Sequence, residues 1–153
     1  MMTEQQDKTA RDMICNFSAI RHASRHMTRY YDSRLAALGL RSNQFSILRI
    51  IFHNDAITVN ALAKLTVMDR TTVGHAIQPL LRDGLLVAEV DPKDRRSRLL
   101  RLSPAGKKLA EDGQPIWLEA QQTFESKFGA ESAKTMRATM SQVIATELNG
   151  AER

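Results

Sequence analysis

The chain contains 153 residues, 42% of them apolar and 25% charged, and it carries a formal net charge of +5. This composition suits one globular domain with a substantial hydrophobic core and argues against extensive disorder. The apolar runs are far shorter than a membrane span, and the polar N-terminus lacks the apolar segment of a secretory signal, so we expect a cytoplasmic protein with no membrane contact.

The sequence predicts a mainly α-helical fold with one small β-hairpin. A first long helix is expected over residues 11–38, where apolar side chains recur at steps of three and four, and Gly39 ends it. Ser42 is predicted to cap a second helix. Thr58 is predicted to cap a short third helix whose apolar side carries Leu62 and Leu65.

A fourth helix is predicted to open at Asp69 and to end before Gly84. Two short strands follow, at residues 85–90 and 98–102, and a charged turn joins them. Ser103 and Pro104 are typical of a helix start, and Gly113 and Pro115 should kink or split the fifth helix that begins there. After Gly129 a last helix is expected to about residue 148.

The excess positive charge is concentrated around the fourth helix and the hairpin. Ten Lys and Arg residues and five acidic residues lie between Lys64 and Lys108, a net charge equal to that of the whole chain. A basic helix-and-hairpin unit is typical of double-stranded DNA binding. An alternative is a winged unit that binds an acidic protein, from which steep salt dependence of duplex binding would distinguish it.

The fourth helix is the candidate recognition helix. Its apolar residues are expected to pack inward and to leave small polar side chains free to reach base edges in the major groove. A proline within the helix, Pro79, is expected to bend it behind these reading residues. The predicted base-reading residues are Arg70, Thr71, Thr72, His75 and Gln78.

The hairpin is the candidate wing. Arg95 or Arg96 is predicted to enter the minor groove, whose negative potential attracts a guanidinium group, and Arg98 is predicted to contact DNA beside them. We expect Asp94 to hold a wing arginine through an ion pair. Residues predicted to reach phosphates, and so to position the protein without reading sequence, are Thr58, Lys64, Arg98 and Lys107.

These features together resemble the MarR family of bacterial regulators. The resemblance is sharpest over residues 69–109, which read DRTTVGHAIQPLLRDGLLVAEVDPKDRRSRLLRLSPAGKKL, and extends to LGLRSNQFSILRI at residues 38–50. It implies a winged helix-turn-helix unit at residues 42–108, between dimerisation helices at residues 1–41 and 109–153. It also implies a homodimer that represses transcription from a palindromic operator and is released by a small ligand or an oxidant.

Two mechanisms of release are open. A small-molecule effector, most often an aromatic carboxylate in such regulators, would bind where Trp117, Phe17, Tyr30 and Tyr31 could line a pocket, although these residues could equally be dimer core. The other mechanism uses the single cysteine, Cys15, as an oxidant sensor. If Thr9 caps the first helix, Cys15 lies beyond the first turn, and the positive end of the helix acts on the thiol only weakly.

Other chemistry receives little support from the sequence. His22 and His26 have the spacing at which two imidazoles share a metal, but the neighbouring arginines would repel a cation, so no metal is expected. We find no glycine-rich phosphate loop or catalytic triad, and therefore expect no enzyme and no cofactor. A thiol-dependent peroxidase resting on Cys15 alone is the remaining enzymatic alternative.

Overall fold

The computed structural model describes residues 14–148 and confirms the predicted architecture of helices around a small sheet. The chain divides into two compact units, one up to Trp117 and one from Leu118. A short 3₁₀ turn, Ala36–Leu38, extends the first helix. In chain order the elements are α1 (Asn16–Leu35), α2 (Ser42–Asn54), β1 (Ala56–Thr58), α3 (Val59–Thr66), α4 (Arg70–Arg82), β2 (Leu86–Val90), β3 (Arg98–Leu102), α5 (Pro104–Phe128) and α6 (Ala130–Ala145).

The sheet has a third strand, β1, that the sequence analysis did not predict. The strand order is β1-β3-β2 and both pairings are antiparallel, with Leu100 opposite Ile57 on one side and Ala88 on the other. Leu100 and Ile57 are both buried. The hairpin strands therefore form where they were predicted, and β1 attaches the wing to the helices that precede it.

The first unit has one continuous core, to which α2, α3, α4 and β3 each contribute an apolar face. Phe45, Leu48, Leu62, Leu80 and Leu100 are almost completely buried in it. Fully burying a side chain of this size is worth about 1.5–3 kcal/mol relative to exposure. This packing fixes which face of α4 points outward.

Two sequence predictions about the helices of this unit are wrong. Leu65 was expected on the apolar side of α3 beside Leu62, but 59% of its surface is exposed. Ser42 does not cap α2, because Arg41 occupies the N-cap position and its backbone N–H donates to Gln44 Oε1 at 3.0 Å. Ser42 instead donates its backbone N–H to Asp32 Oδ1 at 2.7 Å.

The carboxylate of Asp32 ties the end of α1 to the start of α2. The backbone N–H of Ser42 holds the pKa of Asp32 below its ordinary value, and the nearby Arg41 guanidinium, 3.5 Å from Oδ2, adds to the effect. Between these helices Gly39 adopts a left-handed conformation with φ 67°, which ends the 3₁₀ turn as predicted. This corner sets the direction in which α2 enters the core.

Helix α5 continues as one helix through Gly113 and Pro115, so the split that was one of the two predicted outcomes does not occur. Gly113 is required for packing, since a Cβ atom at this position would overlap the ring of Phe45. Gly106 has a similar role nearer the start of the helix, where a Cβ atom would overlap the backbone carbonyl of Leu85. Both glycines allow α5 to pass close to neighbouring groups.

In the second unit, Gly129 separates α5 from α6 with a φ of 100°. Arg137 of α6 donates to Glu125 Oε1 at 2.6 Å, and the rings of Phe124 and Phe128 stack with centroids 5.1 Å apart. Helix α6 ends at Ala145, slightly before the predicted position. Across residues 14–148, no helix combines the length and apolar character needed to cross a membrane.

Candidate nucleic-acid interface

Helix α4 begins where the sequence predicted, because Asp69 caps it. Asp69 Oδ1 accepts from the backbone N–H of Thr72 at 2.8 Å, and Oδ2 accepts from the Thr72 hydroxyl at 2.8 Å. These hydrogen bonds, led by that from the Thr72 backbone, lower the pKa of Asp69 from its ordinary value. The Thr72 hydroxyl therefore serves the helix cap, which leaves its lone pairs as the groups available to a ligand.

The two faces of α4 separate as the sequence indicated. Val73, Ile77 and Leu80 are buried, and the helix Arg70–Arg82 continues through Pro79. A Cβ atom at Gly74 would meet no atom within 4 Å, so this part of the helix surface is open. All five predicted base-reading residues are exposed on the solvent side: Arg70, Thr71, Thr72, His75 and Gln78.

The turn that joins α3 to α4 contains a strained residue that the sequence analysis missed. Val67 has a φ of 54°, and its exposed fraction is 65%. The backbone N–H groups of Val67 and Met68 donate to Lys64 and Ala63 carbonyls at 3.3 and 3.0 Å, which closes the end of α3. A left-handed conformation costs an L-residue about 1–2 kcal/mol, and it is rarest for a β-branched side chain.

The wing tip is a closed loop with an internal hydrogen-bond network. The backbone N–H of Asp91 donates to the Ser97 carbonyl at 3.1 Å, and the backbone N–H of Ser97 donates to the Asp94 carbonyl at 2.9 Å. Asp94 Oδ1 accepts from the backbone N–H of Arg96 at 3.0 Å, and Asp94 forms no ion pair within residues 14–148. The predicted ion pair with a wing arginine is therefore wrong.

Because Asp94 bonds to the backbone, it shapes the loop and leaves the guanidinium groups of the wing in solvent. Arg95, Arg96 and Arg98 are all exposed. The wing therefore presents these three cations at and beside its tip. A second, unpredicted contact stabilises the wing strands, where Arg101 Nε lies 3.5 Å from Glu89 Oε2.

The predicted phosphate-contacting residues occupy two separate places. Thr58 caps α3 by accepting the Ala61 N–H at 3.1 Å, and it lines one surface groove together with Lys64. Lys107, at the start of α5, lines a different depression beside Phe52. Arg101, which the sequence analysis did not select, lines both. The alternating pattern of β3 predicts that Arg101 faces outward, but only the pairing with β1, which sets Arg101 opposite Ala56, brings it to the groove that Thr58 lines.

Residues proposed for sensing lie elsewhere. Cys15 is exposed and occupies the N-cap position of α1, so the expectation that it lies beyond the first turn of the helix is wrong. Thr9, which was considered as the cap, lies outside the described residues. His22 and His26 are exposed on α1, and no group of three or more potential metal ligands occurs in the described part of the chain. The face of Trp117 is covered by the Arg49 guanidinium, 3.9 Å from the ring centroid.

A capped helix with an exposed polar face, followed by a hairpin with arginines at its tip, defines a winged helix-turn-helix DNA-binding protein. The sequence model of the MarR family matches residues 38–97, from the end of the 3₁₀ turn to the wing tip. Over this stretch the chain is similar to the MarR family of transcriptional regulators, and the solved structures below share its fold.

Solved structures of this family resemble the chain over most of its length. MepR of S. aureus in complex with DNA is 26% identical and superposes with a TM-score of 0.74, covering 86% of this chain and 97% of that one. A cysteine-to-serine variant of E. coli MarR, complexed with operator DNA, is 21% identical with a TM-score of 0.74, covering 82% and 90%. The latter likeness bears on the fold alone.

Two further relatives carry more specific descriptions. BpsR of Bordetella bronchiseptica, whose DNA binding is regulated by 6-hydroxynicotinic acid, is 21% identical with a TM-score of 0.78, covering 88% of this chain and 96% of that one. A putative transcriptional regulatory protein for the hcr operon of Thauera aromatica is 29% identical over 68 residues, or 44% of this chain. The match spans 41% of that regulator's length.

Proposed function

We propose that the chain is a homodimeric repressor that reads a palindromic operator, with α4 in the major groove and the wing in the adjacent minor groove. The observation that carries this proposal is the exposed face of α4. Arg70, Thr71, His75 and Gln78 lie opposite buried Val73, Ile77 and Leu80, so the helix can enter a groove without disturbing the core. Thr72 completes the reading face through its hydroxyl lone pairs.

Sequence reading and positioning fall to different residues. Arg70 and His75 read base edges from the first turns of α4. Arg95 or Arg96 enters the minor groove from the wing, with Asp94 shaping the loop behind them. Thr58, Lys64, Arg98 and Lys107 contact phosphates.

Exposed apolar side chains support the dimer. At the start of α1, Ile14 and Phe17 are 81% and 69% exposed. In the second unit, Ile144 and Leu148 are 63% and 81% exposed. Exposed apolar patches of this kind mark interaction surfaces. Two copies related by a two-fold axis would place two recognition helices about 34–36 Å apart, one turn of the duplex.

The function is tested by selecting duplexes from a randomised pool and measuring their affinity over a range of salt. We expect a palindromic consensus and an affinity whose logarithm falls linearly with the logarithm of salt. Arg96→Ala should weaken binding by about 1–3 kcal/mol, the range of a good groove contact. Arg70→Ala and His75→Ala should instead relax sequence preference.

The proposed dimer is tested by light scattering, which should give twice the mass of one chain. Failure of every duplex to bind at low salt would refute the proposed DNA-binding function.

Release by a small aromatic or anionic ligand is the first mechanism of control that we propose. It is supported by the concentration of cations in the winged unit and by the likeness in fold to BpsR. Titrating the protein–operator complex with aromatic carboxylates, and with their neutral amides as controls, tests it. Release by the acids alone is expected.

Oxidation of Cys15 is the second candidate, favoured by its exposed place at the N-terminal end of α1, where a helix stabilises a thiolate. An organic hydroperoxide should then release the operator from the wild-type protein and leave the Cys15→Ser variant bound. Equal behaviour of the two proteins would exclude this mechanism. Peroxide consumption with a recycling thiol would instead indicate the peroxidase alternative.

A further inference from the structure

The turn between α3 and α4 carries an apolar side chain that neither the core nor the turn requires. Val67 is 65% exposed, whereas the next residue, Met68, is partly buried and packs against the core. At a φ of 54°, glycine would form the same turn without strain, and the two backbone hydrogen bonds that close the turn involve no side chain. An exposed β-branched residue in a strained conformation indicates a function for the side chain itself.

Val67 lines a surface depression of about 640 Å³ at the N-terminal end of α4, to which α3 contributes Lys64 and α4 contributes Arg70. We call it the turn depression. Neither cation forms an ion pair with a carboxylate of residues 14–148. The carboxylate of the depression itself, Asp69, already accepts two hydrogen bonds from Thr72. The methyl groups of Val67 therefore share one concave surface with two cations, at the end of the helix that is proposed to enter the major groove.

The reach of Val67 along a duplex follows from its place in the chain. Val67 precedes Arg70 by three residues, and an extended chain spans at most about 3.6 Å per residue, so their Cα atoms lie within about 11 Å of each other. Successive bases along one strand are about 3.4 Å apart. With Arg70 at a base edge, Val67 therefore lies against the groove no more than about three base pairs away.

The base edges in the major groove offer a single kind of apolar group. Adenine, guanine and cytosine present hydrogen-bond donors and acceptors there, and only thymine presents a methyl group, at C5. A valine side chain can neither donate nor accept a hydrogen bond, so against a polar edge it displaces water without replacing the lost hydrogen bonds. Against a thymine methyl group, both surfaces are apolar and their contact removes both from water. Val67 is therefore suited to thymine and unsuited to the other three bases.

From its exposure, its strained backbone and its place beside Arg70, we propose that Val67 determines specificity by contacting the C5 methyl group of a thymine, within about three base pairs of the base that Arg70 reads. This inference rests on the proposed function and adds an apolar contact to the polar reading face of α4. The contact removes one methyl-sized group from water, which corresponds to about fourfold in affinity. A contact of Val67 with the sugar–phosphate backbone would instead be the same for every base.

The test uses the full chain and a duplex that the wild-type protein selects from a randomised pool. The thymines of this duplex are replaced one at a time by deoxyuridine, which lacks only the C5 methyl group, and affinity is measured by fluorescence anisotropy. The variants are Val67→Gly, Val67→Ala and the matched control Val87→Ala, whose valine is 44% exposed on β2 and lies outside the turn depression. Circular dichroism checks folding. The base that Arg70 reads is located as the position where Arg70→Ala relaxes sequence preference.

We expect deoxyuridine at one position near the base that Arg70 reads to weaken binding about fourfold for the wild type and for Val87→Ala, less for Val67→Ala, and not at all for Val67→Gly. On the unmodified duplex, Val67→Gly should bind about fourfold more weakly than the wild type, although its melting temperature is not lowered.

Equal effects of deoxyuridine on the wild type and on Val67→Gly at every position would overturn the thymine contact. A uniform loss of affinity in Val67→Gly, independent of the thymine methyl groups, would also overturn it and would indicate a backbone contact. In both cases the wild type still binds its duplex, so the proposed function stands. Failure of the wild type to bind any duplex would overturn both.

Discussion

Replacing Gly74 by alanine should separate the stability of α4 from its DNA-binding role. Gly74 lies inside the helix, and an added Cβ atom would meet nothing within 4 Å. Alanine is favoured over glycine in a helix interior by about 0.8–1 kcal/mol, and no clash offsets the gain. For a chain of this size, 1 kcal/mol raises the melting temperature by about 2–4 °C.

The assay is thermal unfolding, followed by circular dichroism, together with duplex affinity measured by fluorescence anisotropy. We expect Gly74→Ala to melt higher but to bind DNA more weakly, because the methyl group lies on the face proposed to enter the groove. Gly113→Ala is the opposing control, since its Cβ overlaps the Phe45 ring, and overpacking costs about 1–3 kcal/mol. A lower melting temperature for Gly74→Ala would refute the reasoning about open space on α4.

Three further changes test local features of the fold. Val67→Gly should be more stable than Val67→Ala by about 1 kcal/mol and should therefore unfold at a higher temperature, because only glycine adopts a φ of 54° without strain. Equal melting temperatures of the two variants would contradict this. Folding lowers the pKa of Asp32, so the ionised carboxylate stabilises the folded protein. This stabilisation is fully present above the unfolded-state pKa of about 3.9, and it is lost as the pH falls through the pKa of the folded state. Wild-type protein should therefore lose more stability than Asp32→Asn between about pH 5 and pH 2, as measured by urea unfolding, and parallel curves would show that the Ser42 hydrogen bond contributes nothing. Ser103→Ala should lower the free energy of unfolding by about 1 kcal/mol, because the Ser103 hydroxyl oxygen accepts the Gly106 N–H at 3.0 Å and caps α5. A melting temperature equal to that of the wild type would exclude this capping role.

The sequence by itself determined the features that depend on neighbours a few residues away. Thr58 and Asp69 cap their helices because each side chain reaches an N–H three residues further on. The faces of α4 follow from a helical period that places Val73 and Ile77 on one side. The hairpin strands form as predicted because turn residues and alternating side chains are likewise local signals.

Tertiary structure decided whatever depends on residues that are distant along the chain. Strand β1 has only three residues and forms because Ile57 pairs with Leu100 of β3. Helix α5 needs a glycine at position 113 because the Phe45 ring of α2 fills the space that a side chain would take. The direction of a single leucine depends in the same way on which neighbours reach it, so the sequence could not show that Leu65 faces solvent.

The surface groove that Thr58, Lys64 and Arg101 line shows the same division. The groove contains Lys64 from a helix, Lys93 from a loop and Arg101 from a strand. From the sequence alone, each of them would be interpreted as a charged side chain in solvent. They line one concave surface because β1 joins β3 to the start of α3. The local pattern therefore determined that this chain carries a basic winged unit. Only the long-range pairing of the sheet decided which of its cations and apolar side chains share a site, because antiparallel hydrogen bonding fixes the register between segments that have no contact along the sequence.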